Sequence, residues 1–148
     1  METTSAFTGA EVQEAPQLAA TDSLQDRSHN GSVLICDDQP ELRRALFDVL
    51  SHARFLVVGE AADGAACLEQ LPSAKPDVVI LDVNMPGGGP ELARTVRERD
   101  PDTYILVFSA RQDAETRRAM LAAGADAYLV KTGRLRPLLQ LLHLACGV

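Results

Sequence analysis

Val78-Val79-Ile80-Leu81-Asp82, followed by Val83-Asn84-Met85-Pro86 and the glycines Gly87, Gly88 and Gly89, is the most informative segment of the chain. Four consecutive apolar residues, three of them β-branched, read as a strand buried on both faces. The run ends on a carboxylate, and a Pro/Gly-rich loop follows. A single Asp at a strand end is ordinarily a turn residue. Here three other apolar runs stop in the same manner. Val33-Leu34-Ile35-Cys36 stops at Asp37 and Asp38, Tyr104-Ile105-Leu106-Val107-Phe108 at Ser109, and Ala127-Tyr128-Leu129-Val130 at Lys131. In an open parallel α/β sheet the carboxyl ends of the strands share one rim, and ligands bind in the crevice there. Three carboxylates, a hydroxyl and an ammonium are therefore expected to meet.

Around those runs, strands and helices alternate from Ser32 onward, with no repeat of solenoid type. The first strand covers about 32–37, and Leu42, Ala45, Leu46, Val49 and Leu50 then mark one face of a helix. A second strand covers about 55–60, Asp63-Gly64 opens a short helix through Leu71, and Pro72 is expected to stop it. After the strand ending at Asp82, a third helix starts near Pro90 with Leu92 and Val96 inward and ends by Asp100-Pro101. The remaining units are a strand at about 103–108, a helix at 112–123 ending at Gly124, a strand at 126–130 and a helix at 134–146. Five β-α units predict a doubly wound α/β sheet with helices on both faces. Spacing alone does not give the strand order, but five units favour 2-1-3-4-5, which sets strands 1 and 3 side by side at the switch point. Asp37, Asp38 and Asp82 then face one another, with Ser109 and Lys131 beyond.

Composition bounds the function. The 148 residues suit one domain with a real core. A net charge of −7 argues against a nucleic-acid surface, which needs clustered Lys and Arg. No apolar run reaches the roughly 18–20 residues of a membrane span, and the N-terminus lacks the pattern of a secretion signal. Cys36, Cys67 and Cys146 are an odd number without a C-x-x-C, which reads as three reduced thiols in a cytoplasmic protein. Residues 1–30 carry five acids (Glu2, Glu11, Glu14, Asp22, Asp26) against the single base Arg27, and few apolar residues. They are expected to be a disordered acidic leader, with the folded domain at 31–148.

Three carboxylates within a few ångströms repel, and one protonates unless a cation sits among them. Mg²⁺ suits such a set, being hard and oxygen-liganded. The backbone carbonyl of Asn84, two residues past Asp82, is placed to add a ligand. Lys131 adds a fixed positive charge and Ser109 a hydroxyl donor. Together they would neutralise a transferring phosphoryl group, with Asp82 as the attacking carboxylate. The resulting mixed anhydride hydrolyses easily, which suits a reversible signal. A blander reading stands beside this one: Asp38-Gln39-Pro40-Glu41 also fits a helix N-cap with an acid in the first turn. An Mg²⁺-dependent phosphatase using Asp82 is an alternative, but Val83-Asn84 departs from the Asp-x-Asp of haloacid dehalogenases. A binding module built on the same rim and never phosphorylated is another, and it has no need of both acids, Asp82 and Lys131. His29, His52 and His143 show no metal spacing, and the glycines at 87–89 lack the Gly-Lys-Ser/Thr of a P-loop. Leu135, Leu138, Leu139 and Leu142 form a stripe on the last helix, with Leu141 and Leu144 beside it. That wider stripe is either core or a partner or dimer surface.

Asp37-Asp38, Asp82 in "LDVNMPG", Ser109-Ala110 and Tyr128-Leu129-Val130-Lys131 together resemble the receiver domain of bacterial two-component response regulators, over about residues 32–146. The resemblance implies a flavodoxin-like fold, Asp82 as the phosphorylated residue, and Asp37 and Asp38 as Mg²⁺-binding acids. It implies that Ser109 and Lys131 contact the phosphoryl group and that Tyr128 is a switch aromatic that follows Ser109 inward. The surface of helix 4, strand 5 and helix 5 would then change its affinity for a partner or a second copy. The implied donor is a sensor histidine kinase, a phosphotransfer protein or a small acyl phosphate. The domain itself would not turn over a substrate, contact nucleic acid or touch a membrane. Thr132 stands where many receivers have Pro after the lysine. Lys-Thr resembles the subgroup whose receivers usually precede a helix-turn-helix DNA-binding domain in transcription regulators. Both a stand-alone receiver and the front of a longer regulator fit a chain written to Val148.

Overall fold

The structure, a computed structural model, describes residues 29–148. The leader expected at the N-terminus lies, for residues 1–28, outside the described residues. Asn30 is tied to the fold, donating from its backbone to Arg54 O (2.7 Å) and from its side chain to Ala53 O (2.9 Å).

Five strands alternate with five helices: β1 Ser32–Cys36, α1 Pro40–His52, β2 Leu56–Ala61, α2 Gly64–Ala74, β3 Val78–Leu81, α3 Pro90–Arg99, β4 Tyr104–Ser109, α4 Ala114–Ala122, β5 Ala127–Val130 and α5 Arg136–Cys146. The strands form one parallel sheet in the order β2-β1-β3-β4-β5, as the count of units favours. Alternate strand residues point to opposite faces, so each strand supplies two cores. Val33, Ile35, Val78, Ile80, Leu106 and Phe108 meet Leu46 and Leu50 of α1 and Leu138 and Leu142 of α5. Leu34, Cys36, Val79, Leu81, Ile105 and Val107 meet Cys67 and Leu71 of α2, Leu92, Ala93 and Val96 of α3, and Met120 of α4. Each large side chain so buried contributes roughly 1.5–3 kcal/mol of transfer free energy. This is why β3 has no polar position until it reaches the rim.

Several boundaries differ from the sequence expectation for local reasons. Pro72 lies inside α2, which runs on to Ala74. The proline falls in the last turn, and Lys75, left-handed at φ 41°, closes the helix by donating to Leu71 O (3.0 Å). α4 starts at Ala114 rather than 112 because Asp113 is its N-cap, accepting from Thr116 N at 2.9 Å. α5 starts at Arg136, with Pro137 in its first turn. Ala45 is exposed: the buried stripe of α1 centres on Leu46 and Leu50, and Ala45 sits at its edge. The broad leucine stripe of α5 is mostly core, with Leu144 the member left 78% exposed. The His143 ring packs tilted against Phe55 with ring centroids 5.1 Å apart, so it is a packing residue.

Candidate functional site

Register brings the rim residues together. Cys36 pairs with Leu81 and Leu81 with Val107, while Ser109 pairs with Val130. The ladder then continues one step past the strands. Asp37 N donates to Ala61 O (2.9 Å), Asp82 N to Cys36 O (2.9 Å) and Lys131 N to Ser109 O (2.8 Å). Asp37 and Asp82 thus stand side by side at the ends of β1 and β3. Lys131 starts higher on β5 and reaches back with its long side chain.

One carboxylate oxygen from each of Asp37, Asp38 and Asp82 lies within 4.8 Å of the others. Asp37 and Asp82 are buried and Asp38 is exposed, so the trio opens to solvent on one side. Lys131 Nζ donates to Asp37 Oδ2 at 2.7 Å and lies 3.5 Å from Asp82 Oδ2. One ammonium therefore faces two buried acids. Burial pushes the Asp82 carboxyl above its ordinary pKa, and the negative charge of Asp37 adds to the rise. The Asn84 N–H (3.2 Å to Asp82 Oδ1), Lys131 and the Ser109 hydroxyl pull it back. A set of hard oxygens with surplus negative charge, open on one side, fits a divalent cation such as Mg²⁺.

The blander reading of Asp38 is not what the structure adopts. The N-cap of α1 is Gln39, which makes no side-chain capping bond. Asp37 is the residue that bends the chain there, with Oδ1 accepting from Gln39 N at 2.9 Å. Ser109, fully buried, accepts from Arg111 N at 3.2 Å. Tyr128 is buried, and its hydroxyl donates to Arg111 O at 2.8 Å, so the ring lies inward here and shares the loop after β4 with Ser109. Asn84 is exposed and lies two residues past Asp82, in the turn at 83–84. The glycines after it make the β3–α3 loop compact, with Gly87 at φ 74° and Gly88 N donating to Met85 O. No peptide bond among the described residues is cis, Lys131–Thr132 included.

Two features were missed in the sequence. Arg43 of α1 donates from Nη1 to the carbonyl oxygen of Asp37 (2.7 Å) and from Nε to Glu60 Oε1 (3.1 Å). Its signal was its place one helical turn past Gln39, which points a long side chain back toward the rim. Beneath Asp37, the buried thiols of Cys36 and Cys67 share one core cluster, and interaction with Cys67 together with burial pushes the Cys36 thiol up. Two cysteines 31 positions apart gave no such hint.

A sequence model of the response regulator receiver domain matches residues 33–143. The nitrate/nitrite response regulator protein NarL of Escherichia coli K12 is 39% identical over 118 residues, which is 78% of this chain and 55% of that protein. The chain spans about half the length of the curated relatives it matches. A signal receiver domain from Mycobacterium tuberculosis superposes with a TM-score of 0.72 at 34% identity, covering 81% of this chain and 99% of that one. The response regulator TrrA of Thermotoga maritima, in complex with Mg²⁺ and a beryllium fluoride, gives a TM-score of 0.70 at 28% identity, over 77% and 97% of the two chains.

Proposed function

The chain belongs to the response regulator receiver domain family, and we propose that its receiver, residues 31–148, is a phosphorylation-dependent signalling switch with Asp82 as the phosphoacceptor. The observation that carries this reading is the meeting of Asp37, Asp38 and Asp82 within 4.8 Å, with Lys131 at 2.7 and 3.5 Å from two of them. Asp82 is the acid at the centre of the rim, at the end of the middle strand. Its Oδ attacks the phosphorus of a phosphohistidine or small acyl phosphate. The P–O bond to Asp82 forms as the bond to the donor breaks, and the donor leaves with that electron pair. Asp37, Asp38, Asp82 and the backbone carbonyl of Asn84 would hold Mg²⁺, whose charge offsets that of the phosphoryl oxygens when bound. Lys131 and the Ser109 hydroxyl meet the phosphoryl group from the β4–β5 side.

Ser109, drawn toward the phosphoryl group, would change the loop at Arg111 to which the Tyr128 hydroxyl is bonded. The face of α4, β5 and α5 would then change its affinity for a partner or a second copy. That needs only a few kcal/mol of differential stabilisation between two states. The domain is regulatory, and a histidine kinase or phosphotransfer protein would serve as its donor. Among the described residues no helix is long and apolar enough to cross a membrane.

Incubation with acetyl phosphate and Mg²⁺, followed by intact-mass spectrometry, tests the reading. One phosphoryl group is expected on the unchanged chain and none on Asp82→Asn or with EDTA present. Equal labelling of Asp82→Asn would remove Asp82 from its role.

A further inference from the structure

We propose that Arg43 is a positioning residue for the cation pocket: its guanidinium holds the peptide that joins Asp37 to Asp38, so that two consecutive carboxylates face one ion. This rests on the receiver reading above. Successive side chains of an extended chain point to opposite sides, so placing two neighbours on one cation requires the backbone between them to be turned and held. Asp37 is held at every polar atom. Its N–H donates to Ala61 O (2.9 Å), Oδ1 accepts from Gln39 N (2.9 Å), Oδ2 accepts from Lys131 Nζ (2.7 Å), and its carbonyl oxygen accepts from Arg43 Nη1 (2.7 Å). Asp38 is the opposite case: its exposed carboxylate makes no hydrogen bond or ion pair among the described residues. What sets Asp38 within reach of the other two acids is the peptide before it, and the carbonyl of that peptide is the one Arg43 grips.

Arg43 is itself anchored. Its Nε donates to Glu60 Oε1 (3.1 Å), and the Glu60 backbone carbonyl accepts from Gln70 Nε2 (2.6 Å). Arg43 of α1 is thus tied to Glu60 of β2, whose backbone is held in turn by Gln70 of α2. The planar guanidinium, with donors on different edges, can serve Asp37 and Glu60 at once, which an ammonium cannot do as well.

Electrostatics and positioning give opposite signs here. Arg43 is a positive charge beside a pocket for a cation, so by Coulomb's law alone its removal tightens Mg²⁺ binding. Holding the peptide means that its removal weakens binding. The test is isothermal titration of the full chain with MgCl₂, using Arg43→Met, which keeps the stem, and Arg43→Lys, which keeps one donor. Arg43→Met is expected to raise the Mg²⁺ Kd about tenfold, the low end for outer-shell partners of a metal site, with Arg43→Lys falling between it and the unchanged chain. Labelling of Arg43→Met by acetyl phosphate is expected to recover at saturating Mg²⁺. An unchanged or tighter Kd for Arg43→Met overturns the proposal. Should Arg43→Met not fold, the decision passes to the unchanged chain: the Arg43 Nε–H resonance must shift with the same Mg²⁺ midpoint as the Asp38 amide, and a static resonance overturns the proposal. Absence of any Mg²⁺ binding by the unchanged chain would instead overturn the receiver reading itself.

Discussion

At the residue scale, the consequence of burying Asp82 is thermodynamic as well as chemical. Burial first, and the charge of Asp37 second, raise its pKa in the folded state. A raised pKa means that the folded chain binds the proton more tightly than the unfolded chain does. The stability from this group is therefore fully present below the unfolded carboxylate value of about 3.9 and is lost as pH rises through the folded pKa. At neutral pH, ionised Asp82 costs stability unless a cation is bound. Asp82→Asn in EDTA should therefore melt higher than the unchanged chain at pH 7. The gap should close as the pH falls toward 4, and Mg²⁺ should raise the melting temperature of the unchanged chain only. A lower melting temperature for Asp82→Asn at pH 7 would contradict this. The acid and its company were legible from the ends of the apolar runs. That Lys131 donates to Asp37 and lies farther from Asp82 was not, because it depends on how far β5 rises above β3.

At the element scale, the junction between α2 and the β3–α3 loop steadies the site. Asp63 caps α2 by accepting from Ala66 N (2.7 Å), and Gly64 N donates to Pro86 O (2.8 Å). A Cβ on Gly64 would stand 2.5 Å from the carbonyl oxygen of Gly87, a backbone atom in the loop that begins at Asp82. Gly64→Ala must therefore move backbone, and urea unfolding should show a loss of roughly 1–3 kcal/mol, the range for overpacked sites. An unchanged midpoint would mean that the loop yields freely. The sequence marked Asp63-Gly64 as a helix start, but not the reason for the glycine, which is contact with a segment more than twenty positions away. Pro72 failed as a stop for a similar reason. Local propensity disfavours proline in a helix, yet Leu71 is buried in the core and holds the last turn in place.

For the whole molecule, the order of the sheet turns four separate strand ends into one site. Alternation along the strands fixes both cores, and the parallel registers then leave Asp37, Asp82, Ser109 and Lys131 no choice but to share a rim. The number of β-α units made this arrangement legible, whereas the bulge between Val33 and Leu34 against β2 and the packing of Cys36 on Cys67 are tertiary details that no spacing carried. On the proposed function, acids from two different strands act as one cation pocket that includes the phosphoacceptor Asp82. Amide ¹H–¹⁵N spectra recorded during an Mg²⁺ titration test it most directly: the signals of Asp37, Asp38, Asp82 and Asn84 should move together with a single midpoint, and beryllium fluoride should then perturb Ser109 and Lys131 only with Mg²⁺ present. Separate midpoints for the Asp37/Asp38 pair and Asp82, or a response at one strand alone, would rule out a shared cation pocket.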